Sequence, residues 1–261
     1  MSHRGWTRPL GATGIRVSAL GLGTVKLGRN QGVRYPRHFD IPNDRAARGL
    51  LAKARDLGIN LLDTAPAYGT SEARLGDLLK DNRQDWVLCT KVGEEFHDGQ
   101  SHFDFSPAHT RASIERSLQR LGTDVIDIAL VHSNGDDLTI LEEAGTLDTL
   151  RGLQQKGLIR AIGMSAKTVA GGLAAAPLCD VLMVSYNAND HSQLPVLEAC
   201  RDNGTGVMVK KALDSGHLAN GDVGSALRDA LGQAAVDSLV IGTISTTNLA
   251  ANVTAVRELT G

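Results

Sequence analysis

The chain has 261 residues, with 27 basic against 29 acidic side chains and a formal net charge of -2, so no excess of positive charge argues for nucleic acid or an anionic membrane as its main partner. Hydrophobic residues make up 42% of the chain, enough to bury a sizeable core and to argue against disorder. Cys89, Cys179 and Cys200 form no CxxC pair and no ligand-like cluster with histidine, which argues against a disulfide framework and structural zinc. The opening Met1-Ser2-His3-Arg4-Gly5-Trp6 lacks the apolar core of a signal peptide, and no run approaches membrane-spanning length, so a reducing cytoplasm is the expected location.

In chain order, Arg8 to Val17 reads as a short hairpin turning at Gly11-Ala12-Thr13-Gly14, and Ala19 to Gly23 as a first strand. Asn43 caps a helix with apolar positions Ala46, Ala47, Leu50, Leu51, Ala54 and Leu57, closed by Gly58. Ile59 to Leu62 is the next strand, ending at Asp63, and Ser71 opens a helix bearing Leu75, Leu78 and Leu79. Trp86 to Thr90 is a strand. Ser106-Pro107 then starts a helix with Ile114, Leu118 and Leu121 on one face, stopped by Gly122. Val125 to Val131 is a strongly apolar strand, followed by a helix through Leu147, Leu150 and Leu153 and a strand at Leu158 to Gly163. A weak helix at Lys167 to Ala176 precedes strands at Val181 to Ser185, Gly206 to Val209 and Ser238 to Ile241. Helices are expected near Leu194 to Asp202, Val223 to Ala234 and Thr247 to Glu258, the last with Leu249, Val253, Val256 and Leu259 on one stripe.

About eight strand–helix units imply a parallel sheet with helical crossovers. A closed barrel and an open doubly wound sheet both satisfy that alternation, and the absence of a GxGxxG turn after the first strand disfavours the open sheet. With no Pro- or Ser-rich linker, residues 1–261 read as one domain.

In a βα barrel, chemistry sits where strands end at the C-terminal face. Strand two ends in Asp63-Thr64-Ala65-Pro66-Ala67-Tyr68-Gly69, strand three in Lys91, strand four in His132, and strand five runs into Ser165. Asp, Tyr, Lys and His therefore converge on one pocket. Each alone has a plain structural reading, as turn cap, core ring, snorkelling cation or satisfied polar group. Together, at successive strand ends, they point to a site.

From Leu10 to about Asn252 the chain resembles the aldo-keto reductase family. The likeness is carried by Asp63-Thr64-Ala65-x-x-Tyr68-Gly69, by Lys91 in Cys89-Thr90-Lys91-Val92-Gly93, by His132 in Leu130-Val131-His132, by Leu118-x-Arg120-Leu121-Gly122-Thr123-Asp124-x-Ile126-Asp127, by Ile159-Arg160-x-Ile162-Gly163-x-Ser165 and by Tyr186-Asn187. The resemblance implies a single (β/α)8 TIM barrel with an N-terminal β-hairpin. It also implies NAD(P)H-dependent reduction of an aldehyde or ketone, or oxidation of an alcohol or aldose in reverse. Asp63, Tyr68, Lys91 and His132 are the catalytic residues it implies.

The chemistry of that set is independent of the family. Carbonyl reduction leaves an alkoxide that must be protonated, and a free tyrosine, with a pKa of about 10, is a weak acid at neutral pH. An ammonium roughly 4 Å away favours tyrosinate by about 4 kcal/mol at an effective dielectric of 20, enough to bring Tyr68 toward neutrality. Asp63 holds Lys91 charged and offsets part of that effect. His132 is suited to hydrogen-bond and polarise the substrate carbonyl.

For the cofactor, the resemblance assigns Gly23, Thr24 and Asp63 to the cleft, Ser165 to the nicotinamide amide, and Lys210-Lys211-Ala212-Leu213 to the segment beside the nicotinamide, with Lys210 or Lys211 near the pyrophosphate. Gly242, Thr243, Asn248 and Asn252 fall in the adenosine-phosphate region at a helix N-terminus, which suits phosphate. Many relatives have Asn at Ala166 and Gln at Met183, and NADP-preferring ones carry cations at Gly242 and Asn248, so the amide contacts and a strict NADP preference are left open. NADP(H) is expected, with NAD(H) possible.

The loop Lys26 to Pro42, with Lys26, Arg29, Arg34, Tyr35, Arg37 and His38, reads as a solvated basic loop that could draw anionic substrates. Gly93 to Phe105 reads as pocket rim; its His97 and His102 lack metal-ligand spacing, so no metal is expected. The portion after the last barrel helix is short, which leaves the site open to small aldehydes or aldoses. A monomer is the default. Two other readings stay open: a Schiff-base aldolase using Lys91 or Lys210, and a non-catalytic NADP(H)-sensing accessory subunit.

Overall fold

Alternation along short apolar strands sorts the core of this protein into two compartments. The computed structural model describes residues 5–33, 35–216 and 223–260. Two antiparallel strands, β1 (Thr7–Pro9) and β2 (Arg16–Ser18), form the expected hairpin. The chain then alternates β3 (Leu20–Gly23), α1 (Val25–Gly28), α2 (Asp44–Asp56), β4 (Leu61–Asp63), α3 (Ser71–Leu79) and β5 (Val87–Val92). A second hairpin, β6 (Glu94–His97) and β7 (Gln100–Phe103), precedes α4 (Pro107–Leu121) and β8 (Ile126–His132). There follow α5 (Asp137–Glu142), α6 (Thr146–Gln155), β9 (Ile159–Ser165), α7 (Val169–Ala175), β10 (Val181–Ser185) and α8 (Leu194–Asn203). The chain continues through β11 (Gly206–Lys210), α9 (Val223–Gly232), β12 (Ser238–Ile241) and α10 (Thr246–Thr260). Strands β3, β4, β5, β8, β9, β10, β11 and β12 pair in parallel, and β12 closes on β3 to complete an eight-stranded barrel.

Successive residues of a strand point to opposite faces. Leu61, Val87, Cys89, Ile128, Leu130, Ala161, Val181, Met183, Met208 and Val240 pack inside the barrel. The intervening residues, such as Leu62, Leu88, Ala129, Ile162, Leu182, Val207 and Leu239, pack outward with the apolar faces of the helices. Leu10, Ile15 and Val17 of the first hairpin join the inner cluster, and Gly11 N–H donates to Asp237, so the hairpin plugs the end of the barrel where the strands begin. The helix signals hold: Asn43 Oδ1 accepts the Ala46 N–H, and Ser106 accepts from His109 N–H with Pro107 in the first turn.

Three local expectations are corrected. The segment after Gly93 is a paired hairpin rather than a plain rim loop. Its two-residue turn, Asp98-Gly99, has positive φ at both positions (53° and 76°), the geometry that aspartate and glycine favour in tight hairpins. Helix α5 was not expected. The basic loop is not simply solvated, because Lys26 lies 3.9 Å over the Tyr35 ring and Arg29 lies 3.3 Å over Phe96. Arg29 also donates to the carbonyls of Gln31, Gly32 and Ala67. Arg34 and Met1 to Arg4 lie outside the described residues, as does the side chain of Leu259.

Closure between β9 and β10 depends on one glycine. A Cβ at Gly163 would stand 1.7 Å from the Val181 carbonyl oxygen, on the neighbouring strand. Gly163→Ala is expected to destabilise the fold by about 3 kcal/mol or more. In a thermal melt this should lower Tm by on the order of 6–12 °C.

Candidate active site

The inner compartment changes character at its upper end. Continuing the inward parity two residues past the apolar layer gives Asp63 after Leu61, Lys91 after Cys89 and His132 after Leu130. The same step gives Ser185 after Met183, Lys210 after Met208 and Gly242 after Val240, while Ser165 follows Gly163. A polar ring thus caps the barrel core where the strands end. Above it opens a cleft of about 900 Å³, whose wall includes Gly23, Tyr68, His132, Ser185, Lys210 and Gly242. That size suits a small-molecule or cofactor site. A shallower groove of about 390 Å³ beside Pro107, Arg111 and Asp148 gathers no comparable set of buried polar groups.

Lys91 is the centre of the ring. Its side chain is 1% exposed, and its ammonium donates to Asp63 Oδ1 at 2.5 Å, to the Thr64 carbonyl at 2.9 Å and to the Tyr68 phenol oxygen at 3.2 Å. Three donors meet three acceptors, and the phenol keeps its own hydrogen for the cleft. Asp63 and Lys91 lie on paired strands, β4 and β5. Tyr68 is brought over them by the single 3₁₀ turn Pro66–Tyr68. Burial alone would lower the Lys91 pKa, but the facing Asp63 carboxylate and the Tyr68 phenol outweigh it and hold Lys91 charged.

The expectation that Lys91 brings Tyr68 toward neutrality is corrected. Burial pushes the Tyr68 pKa above its ordinary value, and the pull of Lys91 is too small to offset burial together with the repulsion from Asp63. In this site the phenol is firmly protonated.

His132 stands edge-on to Tyr68, with ring centroids 6.2 Å apart. Its Nδ1 is 2.8 Å from Glu94 Oε2. Despite that distance, Nδ1 is buried with no hydrogen-bond partner among the described residues. Burial keeps the His132 pKa below its usual value despite Glu94. Burial would raise Glu94, but the contacts with His132, Ser101 and Arg29 hold it down to about 2.

Across the cleft, Lys210 Nζ donates to Ser165 Oγ at 2.7 Å and to the Ala166 carbonyl at 3.2 Å. Among the described residues no carboxylate pairs with it. Burial, reinforced by Lys211, Lys91 and Lys167, drops its pKa to about 7.

The structure gathers Gly23, Asp63, Lys210, Lys211, Ala212, Leu213 and Gly242 on the cleft wall. Ser165 is fully buried beside Lys210. Thr24 is not on that wall: its hydroxyl donates to the Asp63 carbonyl and accepts from Ser71. Beyond it lie Thr243, just before α10, Asn248 in its first turn and Asn252 in its second; Thr243 Oγ1 accepts from Ser245 N–H and Asn248 N–H donates to Ser245 Oγ. Tyr186 turns outward, its hydroxyl accepting from Gln233, while Asn187 faces the cleft. Gln193 and Glu94, not picked out from sequence as site residues, line it as well. Gln193 sits just before a helix with no distinguishing pattern around it. Glu94 follows a glycine that ends a strand, and nothing in the one-dimensional pattern says that the hairpin folds back over His132.

These residues fit a nicotinamide cofactor. Among the described residues the buried Gln193 Oε1 has no partner, which suits an amide donor; Asn187 lies in the same wall, and Lys210 and Lys211 suit anionic oxygens.

The barrel and its polar ring define a nicotinamide-dependent oxidoreductase of carbonyl compounds. The sequence profile of the Aldo/keto reductase family matches residues 19–259, and the chain belongs to that family. It is 34% identical over 227 residues to the NADH-specific methylglyoxal reductase of Escherichia coli, an alignment covering 80% of this chain and 68% of that one. It is 31% identical over 240 residues to D-threo-aldose 1-dehydrogenase from a Pseudomonas species, covering 81% of this chain and 70% of that one. A crystal structure from Pseudomonas aeruginosa, provisionally assigned to the aldo-keto reductases, superposes with a TM-score of 0.90 at 50% identity, covering 98% of this chain and 95% of that one. The chain is an enzyme that uses NAD(P)H to reduce an aldehyde or ketone, or runs the reverse oxidation.

Lys210 generates a prediction. The folded protein releases this proton near pH 7, whereas an unfolded lysine keeps it to about 10.4, so stability rises with pH between those values. Lys210→Met is expected to raise Tm at pH 7 and to flatten the rise between pH 7 and 10. Thermal melts across that range measure both effects, which should reach on the order of a few kcal/mol.

Proposed function

We propose that Tyr68 is the proton donor and acceptor of this enzyme, with Lys91 and Asp63 fixing it and His132 contacting the substrate, all within one barrel domain. The observation that carries this reading is the Lys91 ammonium, whose three donors end on Asp63, Thr64 and the Tyr68 oxygen. A dihydronicotinamide held in this cleft would supply hydride to the carbonyl carbon. Tyr68 directs its O–H toward the substrate oxygen and delivers the proton. A pKa above the ordinary value does not prevent this, because the alkoxide formed is about as basic as hydroxide, whose conjugate acid has a pKa of roughly 16. Lys91 stabilises the tyrosinate left behind. Asp63 keeps Lys91 charged and in line. With all three of its hydrogens committed, Lys91 offers no free amine for a Schiff base.

Gly23, Lys210, Lys211, Ala212, Leu213 and Gly242 form the part of the cleft that takes the cofactor, joined by Asn187 and Gln193, with the buried Ser165 holding Lys210. NADP(H) is the form the family resemblance implies, and NAD(H) is possible because neither Gly242 nor Asn248 supplies a cation near the start of α10. The polar wall (Ser101, Ser185, Asn187, Gln193) suits small polar carbonyl compounds or aldoses. Among the described residues no helix is long and apolar enough to cross a membrane, and all three cysteines are free and buried. A monomer in a reducing cytoplasm fits these features.

A spectrophotometric screen of aldehydes, ketones and aldoses with NADPH and NADH tests the reading beside Tyr68→Phe. The variant should lose about 10³-fold or more in kcat while cofactor binding, followed by fluorescence, persists. Full turnover without the hydroxyl would overturn it.

A further inference from the structure

We propose that Lys210 is a covalent modification site, whose amine captures small aldehydes as a reversible imine in the enzyme without cofactor. The proposal goes beyond the Tyr68 reading and shares with it only the cleft.

The polar ring holds two lysines, and their surroundings differ. The Lys91 ammonium has three acceptors, one of them the Asp63 carboxylate. Lys210 Nζ has two, the Ser165 hydroxyl oxygen at 2.7 Å and the Ala166 carbonyl at 3.2 Å, and neither is charged. Two acceptors take two of its hydrogens, so the third position on nitrogen holds either a proton or the lone pair.

The groups around it disfavour the proton. Lys211 follows it in the chain, Lys91 stands on β5 and Lys167 on the loop after β9, and all three oppose its charge. His132, at the end of β8, and Lys210 disfavour each other's protonation in the same way. Asp63 on β4 favours the charge, but its Oδ1 already accepts from Lys91. With burial as the largest cause, the balance brings the Lys210 pKa down to about 7. An ordinary lysine, with a pKa of about 10.4, carries a free lone pair at neutral pH on the order of 10³-fold less often. Desolvation beside other cations is the arrangement that activates an amine nucleophile.

Access completes the case. Lys210 is the last residue of β11, half-buried, on the wall of the cleft of about 900 Å³. Its lone pair adds to the carbonyl carbon, the C=O π electrons move to oxygen, and that oxygen takes the proton lost by nitrogen, giving a carbinolamine. Loss of water forms the C=N bond, and water reverses both steps. Nothing is oxidised or reduced. An aldehyde held there occupies the wall assigned to the cofactor, so adduct and cofactor exclude one another.

The test exposes cofactor-free enzyme briefly to dilute propanal with cyanoborohydride, whose hydride adds to the imine carbon and leaves a stable N-propyl lysine. Peptide mass spectrometry locates the label. At pH 7 Lys210 should be labelled about tenfold or more ahead of Lys211 and Lys167, its lower basicity offsetting part of the lone-pair advantage. The Lys210-to-Lys211 ratio should fall on the order of 10²-fold between pH 7 and 10, as the ordinary lysine loses its proton. Tyr68→Phe should label as the wild type does, and in that variant, where turnover does not consume the aldehyde, NADPH should suppress the label. Lys210→Met should lose the fast-labelled site. Label spread evenly over the lysines at pH 7, a ratio independent of pH, or label on Lys210 undiminished by NADPH would each overturn the proposal. Absence of turnover with every carbonyl compound would instead overturn the Tyr68 reading, and the labelling would still be read independently.

Discussion

A lysine ammonium cannot be buried in a barrel core unless its charge and all three of its hydrogens are satisfied. In this protein Lys91 meets that demand with one carboxylate, one backbone carbonyl and one phenol oxygen. Removing Asp63 would leave a buried cation, and removing Lys91 would leave a buried anion. The phenol is the weakest of the three partners, and it is the one exposed to the cleft. Its orientation follows from the ion pair beneath it: the oxygen lone pair is taken from below, so the hydrogen faces the substrate.

Strand parity extends that local demand to the whole ring. Eight parallel strands closed into a barrel stack their inward residues in layers drawn from alternate strands, and the uppermost inward positions here are polar or small. Three neighbours in the barrel, β4, β5 and β8, contribute Asp63, Lys91 and His132. The opposite wall, from β9 to β12, contributes Ser165, Ser185, Lys210 and Gly242. The Asp63–Lys91 ion pair and His132 therefore sit on one side, and small or cationic groups sit on the other. Lys210 is the asymmetry in this balance, a half-buried lysine on the cleft wall whose bonds among the described residues go to Ser165 and the Ala166 carbonyl. Burial draws its proton affinity toward neutrality because no carboxylate holds the charge.

Segments outside the barrel refine the site. The β6–β7 hairpin delivers Glu94 to His132. The segment after α1 brings Tyr35 under Lys26 and Arg29 onto Phe96, so cations that look solvated in the sequence are spent on aromatic faces and backbone carbonyls. Tyr35 reaches the other side of the cleft, where its hydroxyl would stand 2.8 Å from a Cβ added at Gly242. Both segments owe their positions to contacts distant in sequence.

The eight strand–helix units, the caps at Asn43 and Ser106 and the four strand-end residues were legible in the sequence, because they follow from local periodicity and from motifs a few residues long. Asp98-Gly99 was equally local, and it announced the second hairpin to anyone weighing the turn. What tertiary structure alone decided was electrostatic. The protonated state of Tyr68 and the weakly held proton of Lys210 depend on how deeply each group is buried and which charge lies within a few ångströms. Those distances are set by barrel closure and by a hairpin folding back, and no spacing along the chain encodes them.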